Sequence, residues 1–215
     1  MTLNFPGLFP PGKEPRINFD WIDIATGNGY VVFDGLNAKD STGNNYILLQ
    51  EDQARAVTNN TGGGEGTVVL YSGYTVASGQ DADIDFDLTP FQVSRTVEGD
   101  AYVKVNIQTP DGATGVYIIA RIRKWDGSSE TTLVTTTSPT DAAMAIGHEY
   151  AWTLQCTVPK TTFKKGDVLR LTIELWSTDA GNIKLSHNPN DTVTEGLFTA
   201  GNTRLTLAMP FKLVT

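Results

Sequence analysis

"DVLRLTIELW", residues 167–176, alternates strictly for eight positions, and the fold follows from how that alternation is read. Val168, Arg170, Thr172 and Glu174 share one side of an extended chain, and Leu169, Leu171, Ile173 and Leu175 share the other, because successive side chains of a strand point to opposite faces. A uniformly apolar set at period two predicts a strand with one buried face and one wet face. "YAWTLQCTV" (150–158) repeats the pattern, with Trp152, Leu154, Cys156 and Val158 inward and Ala151, Thr153, Gln155 and Thr157 outward. Two such strands feed one core from one side each. That is the signature of a sandwich.

Working outward, the same period and frequent turn signals predict strands at 81–88, 100–108, 115–125, 129–136, 148–158, 167–176, 182–187 and 203–213. "TPDGATG", "WDGSS", "FKKGD" and "STDAGN" separate them, and no stretch supplies a convincing crossover helix. The fold class expected is all-β: an antiparallel two-sheet sandwich of jelly-roll type with an N-terminal extended arm. Upstream, "INFDWIDI", the "TGNG" turn, "YVVFDG", "YILLQE" and "TVVLYSGYTV" (bent at Gly73) read as further strands. "QEDQARAV" (50–57) is the one place for a short helix, and "NNTGGGEG" (59–66) reads as a loop. The division expected is an arm at 1–18, a strand-rich extension packed on the core at 19–75, and the jelly-roll sandwich at 76–215.

The chain has 215 residues, enough to bury one large β core or two small ones, and its 19% of charged residues is a modest share. A net charge of −8 without a basic block argues against nucleic acid and against an anionic membrane surface. One cysteine, Cys156, excludes an internal disulfide and reads as a small buried hydrophobe. No apolar run approaches the roughly 20 residues needed to cross a bilayer, and "MTLNFPGLF" has no basic region before its apolar residues. A soluble protein made in a cytoplasm is expected.

Residues 1–16 hold four prolines among Leu3, Phe5, Leu8 and Phe9. Proline density rules out a helix or a central strand, and disordered tails avoid large apolar residues. Two readings stay open: an extended arm that inserts Phe5, Pro6, Leu8, Phe9, Pro10 and Pro11 into a neighbour, and a tail folded back over its own domain.

"DADIDFDL" (81–88) puts Asp81, Asp83, Asp85 and Asp87 on one strand face and Ala82, Ile84, Phe86 and Leu88 on the other. A calcium hand needs glycine at its sixth position and glutamate at its twelfth, where Phe86 and Gln92 stand. A looser calcium site with loop carbonyls stays open, but the expected role is a solvated face that discourages edge pairing. No metal ligand set and no cofactor are expected. His148 and His187 lack a spaced third ligand. There is no Gly-x-Ser-x-Gly elbow, and "TGGGEG" lacks the Lys-Ser/Thr ending of a phosphate loop. No catalytic set emerges, so the chain is expected not to be an enzyme. Most Trp and Tyr residues are expected in the core. Trp125 and Asp126, at a strand end beside "DGSS", could instead form a sugar platform.

"INFDWIDIATGNGYVVFDG" (17–35), and "FKKGDVLRLTIELW" (163–176) followed by "KLSHNPND" (184–191), resemble phage and virus virion proteins with a jelly-roll domain. Where their late turn carries Asp-Pro after the histidine, this chain has Asn188-Pro189, which argues against a metal role there. The resemblance implies a virion structural protein located in the virion, of capsid auxiliary (decoration or cement) or fibre type. Its implied partners are capsid or other virion proteins and further copies of itself, with neither nucleic acid nor membrane. The alternative is a carbohydrate-binding or receptor-binding (adhesin or tail-fibre) module on the same fold.

Overall fold

The computed structural model describes residues 17–18, 28–39, 45–51, 68–69, 71–76, 79–109, 114–140, 148–178, 181–186 and 205–212. Every regular element among them is a strand: β1 (Ile17–Asn18), β2 (Asn28–Lys39), β3 (Asn45–Glu51), β4 (Val68–Val69), β5 (Tyr71–Val76), β6 (Gly79–Leu88), β7 (Arg95–Thr109), β8 (Tyr117–Trp125), β9 (Glu130–Thr137), β10 (His148–Phe163), β11 (Val168–Ser177), β12 (Gly181–Ser186) and β13 (Thr206–Lys212). The eight strands expected downstream of residue 81 are all present. Residues 1–16 of the arm, the 59–66 loop and most of the expected 50–57 helix lie outside the described residues, while Ile17 and Asn18, the end of the expected arm, form β1 and Gln50 and Glu51 belong to β3.

Two antiparallel layers face each other, as a sandwich of jelly-roll type requires. One runs β6-β11-β8-β9. In the other, β7 pairs with β10 along one edge and with β13 and then β12 along the opposite edge. β2 continues from β13, β3 from β2, and β5 from β12. Strands of the 19–75 segment therefore hydrogen-bond directly to strands of the 76–215 segment. The layers are joined where β3 meets β6, a parallel pairing of two residues, Leu48 with Asp87 and Leu49 with Leu88. The antiparallel expectation fails at that one pair.

The core lies between the layers. Leu169, Leu171, Ile173 and Leu175 of β11 are sealed from solvent, as are Val103, Val105 and Ile107 of β7 opposite them. Leu154, Cys156 and Val158 of β10 are buried as the alternation demands, with the Cys156 thiol pushed up in pKa by burial. The expectation that most Trp and Tyr residues fill this core needs correcting. The large sealed rings are Phe86 and Phe163, whereas Trp125, Trp152 and Trp176 are only half-buried. Phenylalanine has no polar tip to satisfy, which suits it to a dry interior.

Two prolines shape the middle of the second layer. A proline has no N–H to give to a ladder. The β10–β7 register accordingly slips between Val158 and Thr161, around Pro159. The β13–β7 register slips between Ala208 and Phe211, around Pro210, while β13 stays in step with β2.

The Lys165-Gly166-Asp167 turn before β11 is a clasp. Gly166 has φ +94°, a conformation that favours glycine, and its N–H reaches the Phe91 carbonyl at 2.8 Å. Phe91 N–H returns a bond to the Asp167 carbonyl at 2.9 Å, and the Phe91 and Phe163 rings pack 5.0 Å apart. The Asp167 carboxylate accepts from Lys164 N–H at 2.7 Å and pairs with Lys124 Nζ at 2.7 Å. Burial by itself would raise its pKa, but the Lys124 and Lys164 hydrogen bonds outweigh that and hold it below the ordinary range.

Candidate functional site

The outer face of the β6-β11-β8-β9 layer collects a dense set of ion pairs among the described residues. β11 sits between β6 and β8, with Arg170 opposite Asp87 and Arg123, Thr172 opposite Asp85 and Arg121, and Glu174 opposite Asp83. Period two puts every one of these side chains on the outer side of the layer. Acidic β6 therefore lies one strand away from Arg-bearing β8, with β11 mixed between them.

The result is a ladder of ion pairs. Arg170 grips Asp87 with two parallel bonds, Nε to Oδ1 at 2.6 Å and Nη2 to Oδ2 at 2.8 Å. Its third nitrogen reaches Glu130 of β9 at 2.9 Å and Asp85 at 3.2 Å. Planar guanidinium matches planar carboxylate, which makes such bidentate pairs the strong ones. The Asp87 bond, ahead of the charges of Asp85, Asp87 and Glu130, drives the Arg170 pKa further up. Arg123 bonds Glu130 at 3.1 Å, and the Thr172 hydroxyl donates to Asp85 at 2.5 Å. Arg121 Nε holds Glu174, and its Nη1 reaches the Thr135 hydroxyl at 3.3 Å.

Glu174 also accepts the Trp176 indole N–H at 3.0 Å, and Trp176 stacks on Tyr117 across the strand pair, 5.8 Å between centroids and 12° between planes. Burial alone would raise the Glu174 pKa, but the hydrogen bonds from Arg121 and Trp176 and the nearby arginine charges bring it below the usual range.

These contacts correct the expectation of a bare solvated aspartate row. Asp85 and Asp87 are spent on Arg170, Arg123 and Thr172. Thr172, expected to be wet, is 0% exposed, and Glu174 is 3% exposed, because the long guanidinium side chains lie over them. Asp83 differs from its neighbours. It is exposed, it faces the carboxylate of Glu174, and it has no ion-pair partner among the described residues. Its pKa is raised by partial burial first, then by Asp85 and Glu174, against the opposing pull of Arg123 and Arg121. Asp81 lies on β6, with its side chain outside the described residues, as is that of His148 at the start of β10. His187 and the arm residues Phe5, Pro6, Leu8, Phe9, Pro10 and Pro11 lie outside them altogether.

Trp125 ends β8 half-buried, and Asp126 follows it in the β8–β9 turn. Both oxygens of Asp126 are taken by that turn, accepting from the N–H groups of Ser128 (2.9 Å) and Ser129 (2.8 Å) and from both hydroxyls. Those bonds hold the carboxyl far below the ordinary aspartate range. Asp126 thus closes the hairpin around Gly127, at φ +93°. The arginines are what sequence reading passed over. Arg121 and Arg123 stand two apart on one strand like the aspartates, Arg170 shares a strand face with Thr172 and Glu174, and that shared period with opposite sign was the available signal.

No protein-family model matches the sequence, and no curated protein matches it. Among solved structures, it is similar to a CocE/NonD family hydrolase from Staphylococcus aureus, 12% identical, covering 82% of this chain and 40% of that one with a TM-score of 0.49. It is similar to a structure of the carbohydrate-binding modules from the β-sandwich superfamily, 16% identical over 75% of this chain and 72% of that one, TM-score 0.35. It is also similar to infectious bursal disease virus Gx strain, 11% identical over 87% and 61%, TM-score 0.26. The chain spans 24% to 40% of the chain lengths in four hydrolase structures it resembles, two of them of the same Staphylococcus aureus protein. The expectation that it is not an enzyme is corrected on this ground, since hydrolases stand among the structures similar to it. Among the described residues, no helix is long and apolar enough to cross a membrane.

Proposed function

We propose that the chain is a structural component of a virion, a capsid auxiliary (decoration or cement) protein that grips neighbouring subunits with its N-terminal arm and its sandwich surface. The observation that carries this reading is the ladder. Its arginines and most of its carboxylates bind one another, which makes the outer face of β6-β11-β8-β9 a stiff, pre-formed surface with little side-chain freedom left to lose on contact. A building block in a lattice benefits from such a face. The apolar residues among the arm's prolines supply attachment in this reading, since burying each large side chain contributes roughly 1.5–3 kcal/mol.

Deleting residues 1–16 tests it. The truncated chain should keep its β-rich circular dichroism and lose co-sedimentation with purified particles of the virus that encodes it. Equal particle occupancy with and without the arm would end the proposal. A second reading, a glycan-binding module, is favoured by the half-buried Trp125 at one end of the ladder and the Tyr117–Trp176 pair at the other. Retention on immobilised polysaccharide, lost in Trp125→Ala, would decide for it.

A further inference from the structure

The ladder does not balance. Among the described residues its face carries five carboxylates (Asp83, Asp85, Asp87, Glu130 and Glu174) and three guanidinium groups (Arg121, Arg123 and Arg170). The surplus is not spread evenly. Asp85, Asp87 and Glu130 share Arg170 and Arg123, and Glu174 has Arg121 and the Trp176 indole. Asp83 is left exposed beside Glu174.

The same end of the face holds the stacked Tyr117–Trp176 pair, one same-face position along β11 from Glu174, with the indole ring fixed by its bond to Glu174. Both rings are half-buried, so each keeps part of its surface in solvent. An uncompensated carboxylate diagonal to a fixed indole is a combination that favours a cation: the carboxylate supplies the charge and the π face the second contact. Trp, Tyr and Arg are also the side chains over-represented at the centres of protein interfaces.

We propose that the Asp83–Trp176–Tyr117 end of this face is a docking point for an arginine or lysine side chain carried by a partner protein. Charge complementarity selects the occupant. A cation there neutralises Asp83, relieves its repulsion with Glu174 and Asp85, and completes the alternation of sign that the rest of the ladder already shows. The inference goes beyond the virion reading and does not need it, because it concerns what kind of side chain this corner accepts, whatever carries it.

The probe is the blocked pentapeptide Gly-Arg-Gly-Arg-Gly, titrated into the isotope-labelled full chain while the Trp176 indole N–H resonance is followed. A saturable shift at that resonance is expected, with Gly-Gln-Gly-Gln-Gly giving none. Asp83→Asn should weaken the arginine peptide about fivefold, the size of one exposed ion pair. Glu98→Gln, which removes a half-buried carboxylate paired with Lys212 on the other layer, should leave binding unchanged. Absence of a saturable shift would overturn the proposal. Equal weakening by both variants would overturn it too, by showing only general attraction to a chain of charge −8.

Discussion

β10 and β11 carry the same alternating pattern, yet their outward faces live in different surroundings. Ala151, Thr153, Gln155 and Thr157 of β10 are all exposed, whereas Thr172 and Glu174 of β11 are covered and Arg170 and Trp176 half-buried. The difference lies in position. Among the described pairings β10 has β7 on one side only, while β11 lies between β6 and β8 and receives carboxylates from the first and long guanidinium side chains from the second. On the β10 side one carboxylate, Asp100, accepts two neutral donors, Gln155 Nε2 and Thr157 Oγ1, each at 2.7 Å. On the β11 side oppositely charged side chains of three other strands close over the threonine. Alternation tells which way a side chain points. Whether it meets water depends on the side chains of the strands beside it.

The interiors of the two strands should be indistinguishable. Leu171→Ala and Leu154→Ala both empty a sealed position and should each cost about 2–5 kcal/mol, from lost burial and the cavity left behind. Urea unfolding of the pair measures this. A loss under about 1 kcal/mol at Leu154 alone would mean that β10 is loosely packed and only β11 anchors the core.

The exteriors should separate. Thr172→Ala removes a buried hydroxyl from Asp85 and should cost about 0.5–1.5 kcal/mol. Thr153→Ala, equally outward on β10, should stay within about 0.5 kcal/mol. Equal losses in the same unfolding assay would erase the distinction between a covered and an open outer face.

The smallest effect concerns protons. Glu174 has its folded pKa below the ordinary value, so its contribution is present above the ordinary range and is lost as pH falls through the folded value. Asp83 has the opposite sign. Folding favours its protonated form, so its term improves stability as pH falls through the interval just above 3.8 and weakens it as pH rises through that interval. Asp83→Asn should raise Tm at pH 7 by less than about 3 °C, with the gain shrinking towards pH 4. A Tm lowered at pH 7 would show Asp83 to be a stabilising member of the ladder.

Strand positions and inward residues were legible because period two and turn residues are local signals. "DVLRLTIELW" and "YAWTLQCTV" named their buried sides correctly, and "DADIDFDL" was rightly placed on a strand with Ile84 and Phe86 inward. What failed was non-local. Asp87 meets Arg170 far along the chain, and nothing near either residue announces the other. Asp126 is the reverse case, a local one: its bonds go to serines two and three positions on, as an aspartate in a tight turn is apt to do.

One pairing bears on the order of events when the chain assembles. The first part of β2 is hydrogen-bonded to β13, Asp34 with Thr206 through to Asn28 with Lys212, and Gly35 N–H reaches the Leu205 carbonyl at 2.9 Å. β2 leaves the ribosome well before β13, its mate emerging more than a hundred residues later. Until then Phe33 has no Leu207 beside it. Connections that distant carry a large loop-closure cost and place a fold among the slow ones. The sandwich closes only after Thr206–Lys212 has been synthesised, and until then residues 28–34 of β2 lack their late partner although β3 can already pair with the rest of the strand.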